Sequence, residues 1–463
     1  MKVFNKTISI GCIIGILAAA LSVLCGAVSV RSSNSAKLKK NSILKTNGSA
    51  IENGFGQKVA LRGVNLGGWL LQESWMTPVD GEDKIWGYYD TLRILTERFG
   101  EEGCKKLIES YEENWITASD LDYLAALGVN CVRVPFCYRN LHIDDNGTWK
   151  KNAENEIDFS RLDYIVEECS KRGIYVILDL HGAPGFQSDD HSTGKSDSSK
   201  LFSIGKEGSK YRDLTVELWV ETAKHFNGNP AVAAYDLLNE PMNGFNTIKK
   251  CDLALWQLYD RIYRAIREVD KEHIIIFEGV WELGNLPSPA KYGWQNVIYS
   301  LHNYNYKKEE IENKIKDAQR HSFWNVPILI GEFQGGTDIA EYVFDSYDNA
   351  GFSWLTWSYK GAKCEGTSGW FLFGGSPEIV NLNEDSFEEI LRKWGNALQT
   401  QSGFSENKDL TSKLVKYLNC DVQAQKSTAI SHCGALTLSS IHTVLSCISY
   451  LTAILTTIFM LYC

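Results

Sequence analysis

The chain has 463 residues, a formal net charge of −10, and 44% hydrophobic against 22% charged residues. That composition suits a globular protein with one large domain of roughly 250–400 residues. The acidic balance argues against a nucleic-acid binder, which would carry a basic face. The 14 Trp and 21 Tyr either pack a core or stack on the flat C–H face of a sugar ring.

In chain order, Ile8 to Val30 is almost continuously apolar after Lys2 and Lys6, so 1–30 reads as a signal peptide or a signal anchor. Its length suits an anchor, and Ala27 and Ser29 allow cleavage nearby. Arg31, Lys37, Lys39 and Lys40 leave the orientation open. Residues 31–50 are polar and basic and read as a linker. At the far end, 444–463 is a second apolar run. Small residues at Ser427-Thr428-Ala429 or Cys433-Gly434-Ala435 precede it, which resembles a lipid-anchor attachment signal; a membrane helix is the alternative. Residues 405–443 read as a stalk or spacer. The domain between, 51–404, is expected outside the cytosol, secreted or at the cell surface and tethered to the membrane. Of 12 cysteines, Cys12, Cys25, Cys447 and Cys463 lie in the apolar ends. The remaining eight permit disulfides, though Cys131 and Cys169 sit in apolar patterns that suit buried thiols. Asn47-Gly-Ser and Asn146-Gly-Thr are glycan acceptor patterns.

Within the domain, strand-like stretches occur at Val59–Asn65, Val129–Pro135, Tyr175–Leu180, Ala233–Asn239, His273–Glu278, Val297–Tyr304, Pro327–Glu332 and Phe352–Trp357. Helical periodicity lies between them. Leu162, Ile165, Val166 and Cys169 make one stripe, stopped by Gly173; Leu255, Tyr259, Ile262 and Ile266 make another. Eight strands alternating with helices predict a closed α/β barrel, (β/α)8, rather than an open doubly wound sheet with a Gly-rich phosphate loop.

In such a barrel, functional groups stand where strands end. Polar or aromatic residues recur at that end of successive strands: Arg133, Asp179-Leu-His181, Asn239-Glu240, Glu278, His302-Asn-Tyr304, Glu332 and Trp357. Singly, each has a structural reading: Arg133 as an ion pair, His181 as a satisfied loop histidine, Trp357 as a barrel plug. Together they predict one shared site. Asp189, Asp190 and His191 open a polar loop to about Lys210, read as a solvated loop over the cleft, with a metal site as the lesser reading. Trp281, Trp294 and Trp324 are either sugar platforms or rim packing.

Arg133, His181, Asn239-Glu240-Pro241, His302 with Tyr304, Gly331-Glu332-Phe333 and Trp357 stand in the order found in glycoside hydrolase family 5, the cellulase-like (β/α)8 TIM-barrel family, which residues 55–400 resemble. The opening Arg62-Gly-Val-Asn-Leu-Gly-Gly-Trp69, with Glu73 and Met76-Thr-Pro78, is similar to its exo-β-1,3-glucanase branch. The resemblance implies a retaining β-glucan hydrolase acting on β-1,3- or β-1,4-glucan, with Glu240 as acid/base and Glu332 as nucleophile. Glu73 would hold the terminal glucose and Asn239 the sugar 2-hydroxyl. His181 and His302 would bind hydroxyls or orient the carboxylates, and Trp357 would floor the reacting sugar. Physically, a nucleophilic carboxylate must stay ionised; cations and hydroxyl donors lower its pKa, and Arg133 and Tyr304 are the candidates. The acid must keep its proton, which calls for apolar surroundings or a neighbouring negative charge. No metal or organic cofactor is implied, and the chain is expected to be a monomer. A glucosylceramide or sterol-glucoside β-glucosidase of the same family stays open, as does a non-catalytic carbohydrate-binding surface protein.

Overall fold

A computed structural model describes residues 41–418, apart from 81–86, 242–251, 306, 336–337 and 364–369. A short antiparallel hairpin, β1 (Lys45–Asn47) and β2 (Ala50–Glu52), leads into β3 (Arg62–Asn65). Then follow β4 (Cys131–Cys137), β5 (Tyr175–Gly182), β6 (Val232–Asp236), β7 (Ile274–Glu278), β8 (Val297–His302), β9 (Ile328–Glu332) and β10 (Ser353–Thr356). The last eight close into a barrel in the order β10-β3-β4-β5-β6-β7-β8-β9. Each of the eight expected strands appears with one or both ends shifted by one to three residues; β4 and β5 run two residues further than expected, to Cys137 and Gly182, and β6 ends three earlier, at Asp236.

The connections explain the closure. Parallel neighbours need a crossover, and an amphipathic helix supplies it by covering the barrel's outer face. Helix Ser160–Arg172 buries Leu162, Ile165, Val166 and Cys169, and Gly173 ends it with a left-handed φ of 70°. Helix 252–269 buries Tyr259, Ile262 and Ile266 against the wall. Between β3 and β4 the chain inserts helices Tyr88–Trp115 and Ala118–Leu127.

Side chains alternate along each strand. Outward residues such as Val132, Val176, Tyr235, Phe277 and Tyr299 join the helices in the main core. Inward residues Cys131, Ile177, Ala234, Ile276, Ile298, Leu329 and Leu355 fill the lower barrel with Leu44 and Ile51 of the entering segment. The segment expected as a linker to residue 50 therefore ends earlier, because Leu44 and the hairpin cover the apolar bottom of the barrel. The expected stalk also begins later. Phe404–Glu406 is a strand paired with Phe373–Gly375, and helix Lys408–Leu418 buries Leu410, Leu414 and Leu418. Four of the eight cysteines that permitted disulfides, Cys104, Cys131, Cys137 and Cys169, are free and buried. Cys251, Cys364, Cys420 and Cys433 lie outside the described residues, as do 8–30 and 444–463 with their signal and anchor readings. Among the described residues no helix is long and apolar enough to cross a membrane.

Leu414 is fully buried. Leu414→Ala is expected to lower stability by about 2–5 kcal/mol in denaturant unfolding. A chain ended at residue 404 is expected to melt lower still; an unchanged midpoint would make the last helix dispensable.

Candidate active site

Two residues above the apolar inward layer, the same alternation delivers charge. Arg133 follows Cys131 at that spacing, Asp179 follows Ile177, Asp236 follows Ala234, and Glu278 follows Ile276. All four are fully buried. The Arg133 guanidinium serves them together with β9. Its Nε donates to Asp236 Oδ2 at 2.9 Å and its Nη1 to Glu332 Oε1 at 2.7 Å. Nη2 donates to Asn239 Oδ1 at 2.9 Å, lies 3.1 Å from Asp179 Oδ1, and is 3.9 Å from Glu278 Oε2. One cation thus faces four carboxylates, and leaving any of them charged without it would be costly. Burial opposes the Arg133 charge, but the carboxylates outweigh it and hold its pKa well above the usual range. Burial lifts Asp236 to about 7.

The two glutamates expected at strand ends meet at His302. Its Nδ1 lies 2.7 Å from Glu240 Oε1 and 3.4 Å from Glu332 Oε2, which bounds these oxygens to within about 6 Å of each other. Glu332 also accepts from the Tyr304 hydroxyl at 2.8 Å. Burial raises Glu240 to about 7, with Asp190 and Glu73 adding to it. Burial lowers His302 to about 3, so its ring is neutral. Gly331 makes room: a Cβ there would lie 2.7 Å from Ser300 Oγ and 3.0 Å from His302 Nε2.

Asn239 is clamped. Its Oδ1 accepts from Arg133, so its Nδ2 donates to His181 Nε2 at 3.2 Å. Nδ1 of His181 then donates to Asp179 Oδ2 at 2.7 Å. Burial opposes protonation of His181, whereas Asp179 outweighs it and moves its pKa upward. The hydrogen bonds nonetheless seat the neutral ring, because a second proton would point at the Asn239 amide donor. Trp357 stacks on His181 at 5.5 Å between centroids.

At the rim, Glu73 accepts from Trp75 Nε1 at 3.0 Å and lies 3.2 Å from His191 Nε2. The loop expected to be solvated is therefore docked at His191, because Glu73 and Asp190 both face the imidazole. Burial and these partners pull His191 in opposite directions, and Glu73 wins, raising it to about 9. Trp75, Trp370 and Phe371 surround Trp357 and Tyr304. Trp281 is 38% exposed and 6.4 Å from Tyr304, so it stands at the mouth. Trp294 is core, and Trp324 packs on Tyr299.

All nine expected site residues thus gather at one barrel end. Asp236, Trp75, Trp370 and Asn65, whose Oδ1 accepts from Arg133 Nη1 at 3.1 Å, were not foreseen as site residues, and His191 was expected only in a solvated loop. Counting inward positions by two would have found Asp236. The same count from Gly63 on β3 reaches Asn65, whereas Trp75, Trp370 and His191 are loop residues whose approach no local pattern signals. Glu240, Glu278 and His302 offer ligand atoms within 4.8 Å of one another, a spacing a metal ion could use. The guanidinium 3.9 Å from Glu278 opposes a second cation there.

A closed parallel barrel carrying an acid pair at its C-terminal mouth is the framework of the cellulase-like enzymes. Residues 98–363 match the family model described as cellulase (glycosyl hydrolase family 5), and the chain belongs to that family. It is 33% identical over 264 residues to a beta-xylosidase of Phanerodontia chrysosporium, covering 56% of this chain and 52% of that protein. It is 28% identical over 316 residues to a glucan 1,3-beta-glucosidase of Candida oleophila, covering 62% and 70%. The chain thus spans about half the length of the xylosidase. An endogalactoceramidase crystal structure shares the fold, with a TM-score of 0.54, 18% identity, and coverage of 81% and 84%.

The His191 imidazole is expected to titrate near 9 by NMR. Glu73→Gln should bring the midpoint down toward the ordinary histidine value of about 6.5. A midpoint already near that value in the unaltered chain would undo the Glu73 pairing.

Proposed function

We propose that the chain is a retaining β-glucan hydrolase, with Glu332 as nucleophile and Glu240 as acid/base. The observation that carries it is the carboxylate pair held at His302. Two carboxylates that share one imidazole nitrogen, at 2.7 and 3.4 Å, stand close together, as the roughly 5–5.5 Å carboxyl spacing of retaining enzymes asks. The environments are divided as the two steps require. Glu240 is buried and proton-holding, fit to protonate the departing glycosidic oxygen. Glu332 faces Arg133 and the Tyr304 hydroxyl, donors that leave its carboxylate aimed and available for the anomeric carbon. Glycosylation removes the Glu332 charge. Glu240 has by then given up its proton and takes one from water as that water attacks the covalent intermediate. Asn239, Glu73, His181 and Trp357 are the contacts for the sugar at the point of cleavage.

The glucan assignment is supported by the Arg62–Trp69 opening and by relatives named glucan 1,3-beta-glucosidase. A secreted or surface location belongs to the same reading and is supported by the apolar segments at 8–30 and 444–463. Asn47 and Asn146 are exposed, so both glycan acceptor patterns are accessible.

The test follows sugar release by the full chain from laminarin, mixed-linkage glucan, a soluble cellulose derivative, a β-xyloside and glucosylceramide. Glucan turnover that disappears in Glu332→Gln is expected. Turnover of only the xyloside or the glycolipid would move the substrate class, and none by folded protein would end the hydrolase reading. Glu240→Gln should lower kcat about 10²–10⁴-fold on glucan. The loss should be far smaller on a dinitrophenyl glycoside, whose leaving group needs no proton, when azide replaces water. Because the acid works protonated, kcat/KM should fall as pH rises through about 7. A flat profile to pH 9 would remove Glu240 from that role.

A further inference from the structure

The acid/base assignment leaves Glu278 without a task. It ends β7, fully buried, and its two carboxyl oxygens do different things. Oε2 accepts the backbone N–H of Glu240 at 3.0 Å. That backbone has a φ of 41°, in the left-handed region that residues other than glycine seldom occupy. The bond therefore helps hold the strained strand tip that carries the acid. Oε1 makes no hydrogen bond, and neither does His302 Nε2. These two buried atoms face each other at 3.6 Å, roughly half an ångström beyond a formed bond.

Two bare acceptors would each lose the solvation they gave up, whereas one proton between them satisfies both. The location of that proton follows from the surroundings. A neutral imidazole has a single N–H, and His302 Nδ1 already lies 2.7 Å from Glu240 Oε1. Were the proton on Nε2, Glu278 would have to be an anion. Arg133 is its cation, but Arg133 spends its close contacts, at 2.7–3.1 Å, on Glu332, Asp236 and Asp179, and stands 3.9 Å from Glu278. The other groups acting on Glu278 are Asp236, Glu240 and Glu332, all carboxyls, and burial together with them pushes its pKa well up. The Tyr259 hydroxyl bonds only its backbone.

We propose that Glu278 is a positioning residue: its carboxyl O–H donates to His302 Nε2, which fixes the imidazole with Nδ1–H directed at Glu240 Oε1. The catalytic meaning of this rests on the hydrolase reading above. The consequence is an assignment of oxygens. With the imidazole N–H on Oε1, the transferable proton of Glu240 sits on Oε2. After transfer, the same N–H stabilises the Glu240 carboxylate while it waits to act as base. A metal ion held by Glu240, Glu278 and His302 is the competing use of these atoms.

The test labels the histidines of the full chain with ¹⁵N and reads the His302 ring shifts, which separate the two neutral tautomers without any substrate. The unaltered chain is expected to show Nδ1–H. Glu278→Leu removes the donor, and the His302 signal should shift toward the Nε2–H form. Its kcat should fall roughly 10- to 100-fold with KM nearly constant. Its alkaline limb should move up by about one pH unit, because the Glu240 anion loses a donor. Glu278→Gln, whose amide N–H replaces the acid O–H, should restore the tautomer and recover most of the lost kcat. A His302 proton on Nε2 in the unaltered chain overturns the proposal, whether or not Glu278→Leu folds. So does a Glu278→Gln as impaired as Glu278→Leu. Activity abolished by dipicolinate and restored by Zn²⁺ would give these atoms to a metal instead. If no glycoside is turned over, the hydrolase reading fails while the tautomer still decides this one.

Discussion

The site depends on one buried guanidinium. Arg133 lies at the axis of the barrel, out of contact with solvent, and faces carboxyls from β5, β6, β7 and β9. In water such pairs contribute little; in a closed interior each unpaired charge is expensive. A single cation cannot neutralise four anions, so the cluster must hold protons as well as charge. That shortage sets the ionisation pattern of the mouth. The carboxyl nearest the guanidinium, Glu332, is left with the strongest donor. Burial drives Asp236, Glu278 and Glu240 toward the neutral acid, Asp236 even though it touches the guanidinium.

The barrel makes that arrangement possible by stacking layers. On each of four strands, alternation puts a charged residue two positions after an apolar inward one: Arg133 after Cys131, Asp179 after Ile177, Asp236 after Ala234 and Glu278 after Ile276. The apolar layer, closed below by Leu44 and Ile51, keeps water from reaching the charged layer from the bottom. The fold's rigidity and the site's electrostatics are therefore one property. A protein that held the same residues on loops would hydrate the carboxylates, and the burial that lifts Glu240 would be lost.

Above the charged layer the architecture changes. Trp357, Trp75, Trp370 and Tyr304 form an aromatic rim supplied by β3, β8 and β10 and the loops that follow them. Glu73, in the loop after β3, pairs with His191, in the loop after β5, so the first and third strand ends are tied across the mouth by an ion pair. The charged groups thus sit on strands or just past their ends, and the aromatic rim sits on loops. Variation in the rim can alter what is bound without disturbing the charged layer beneath it.

The sequence by itself determined the barrel, because eight apolar runs alternating with amphipathic helices leave few other ways to bury both. It also singled out two glutamates, since Asn239-Glu240 and Glu332 end two such runs. It misjudged the edges of the domain. Leu44 and Leu414 look like ordinary residues in polar segments until the barrel bottom and the last helix give them something to cover. It placed Glu278 in the shared site without a task of its own and passed over Asp236, whose part depends on which way a strand's side chains face. Tertiary structure alone decided the sharing of Arg133 among residues 179, 236, 278 and 332, and the docking of His191 on Glu73. Those distances exist only once the barrel closes. Ionisation follows from burial and neighbours, neither of which is a local property of the chain.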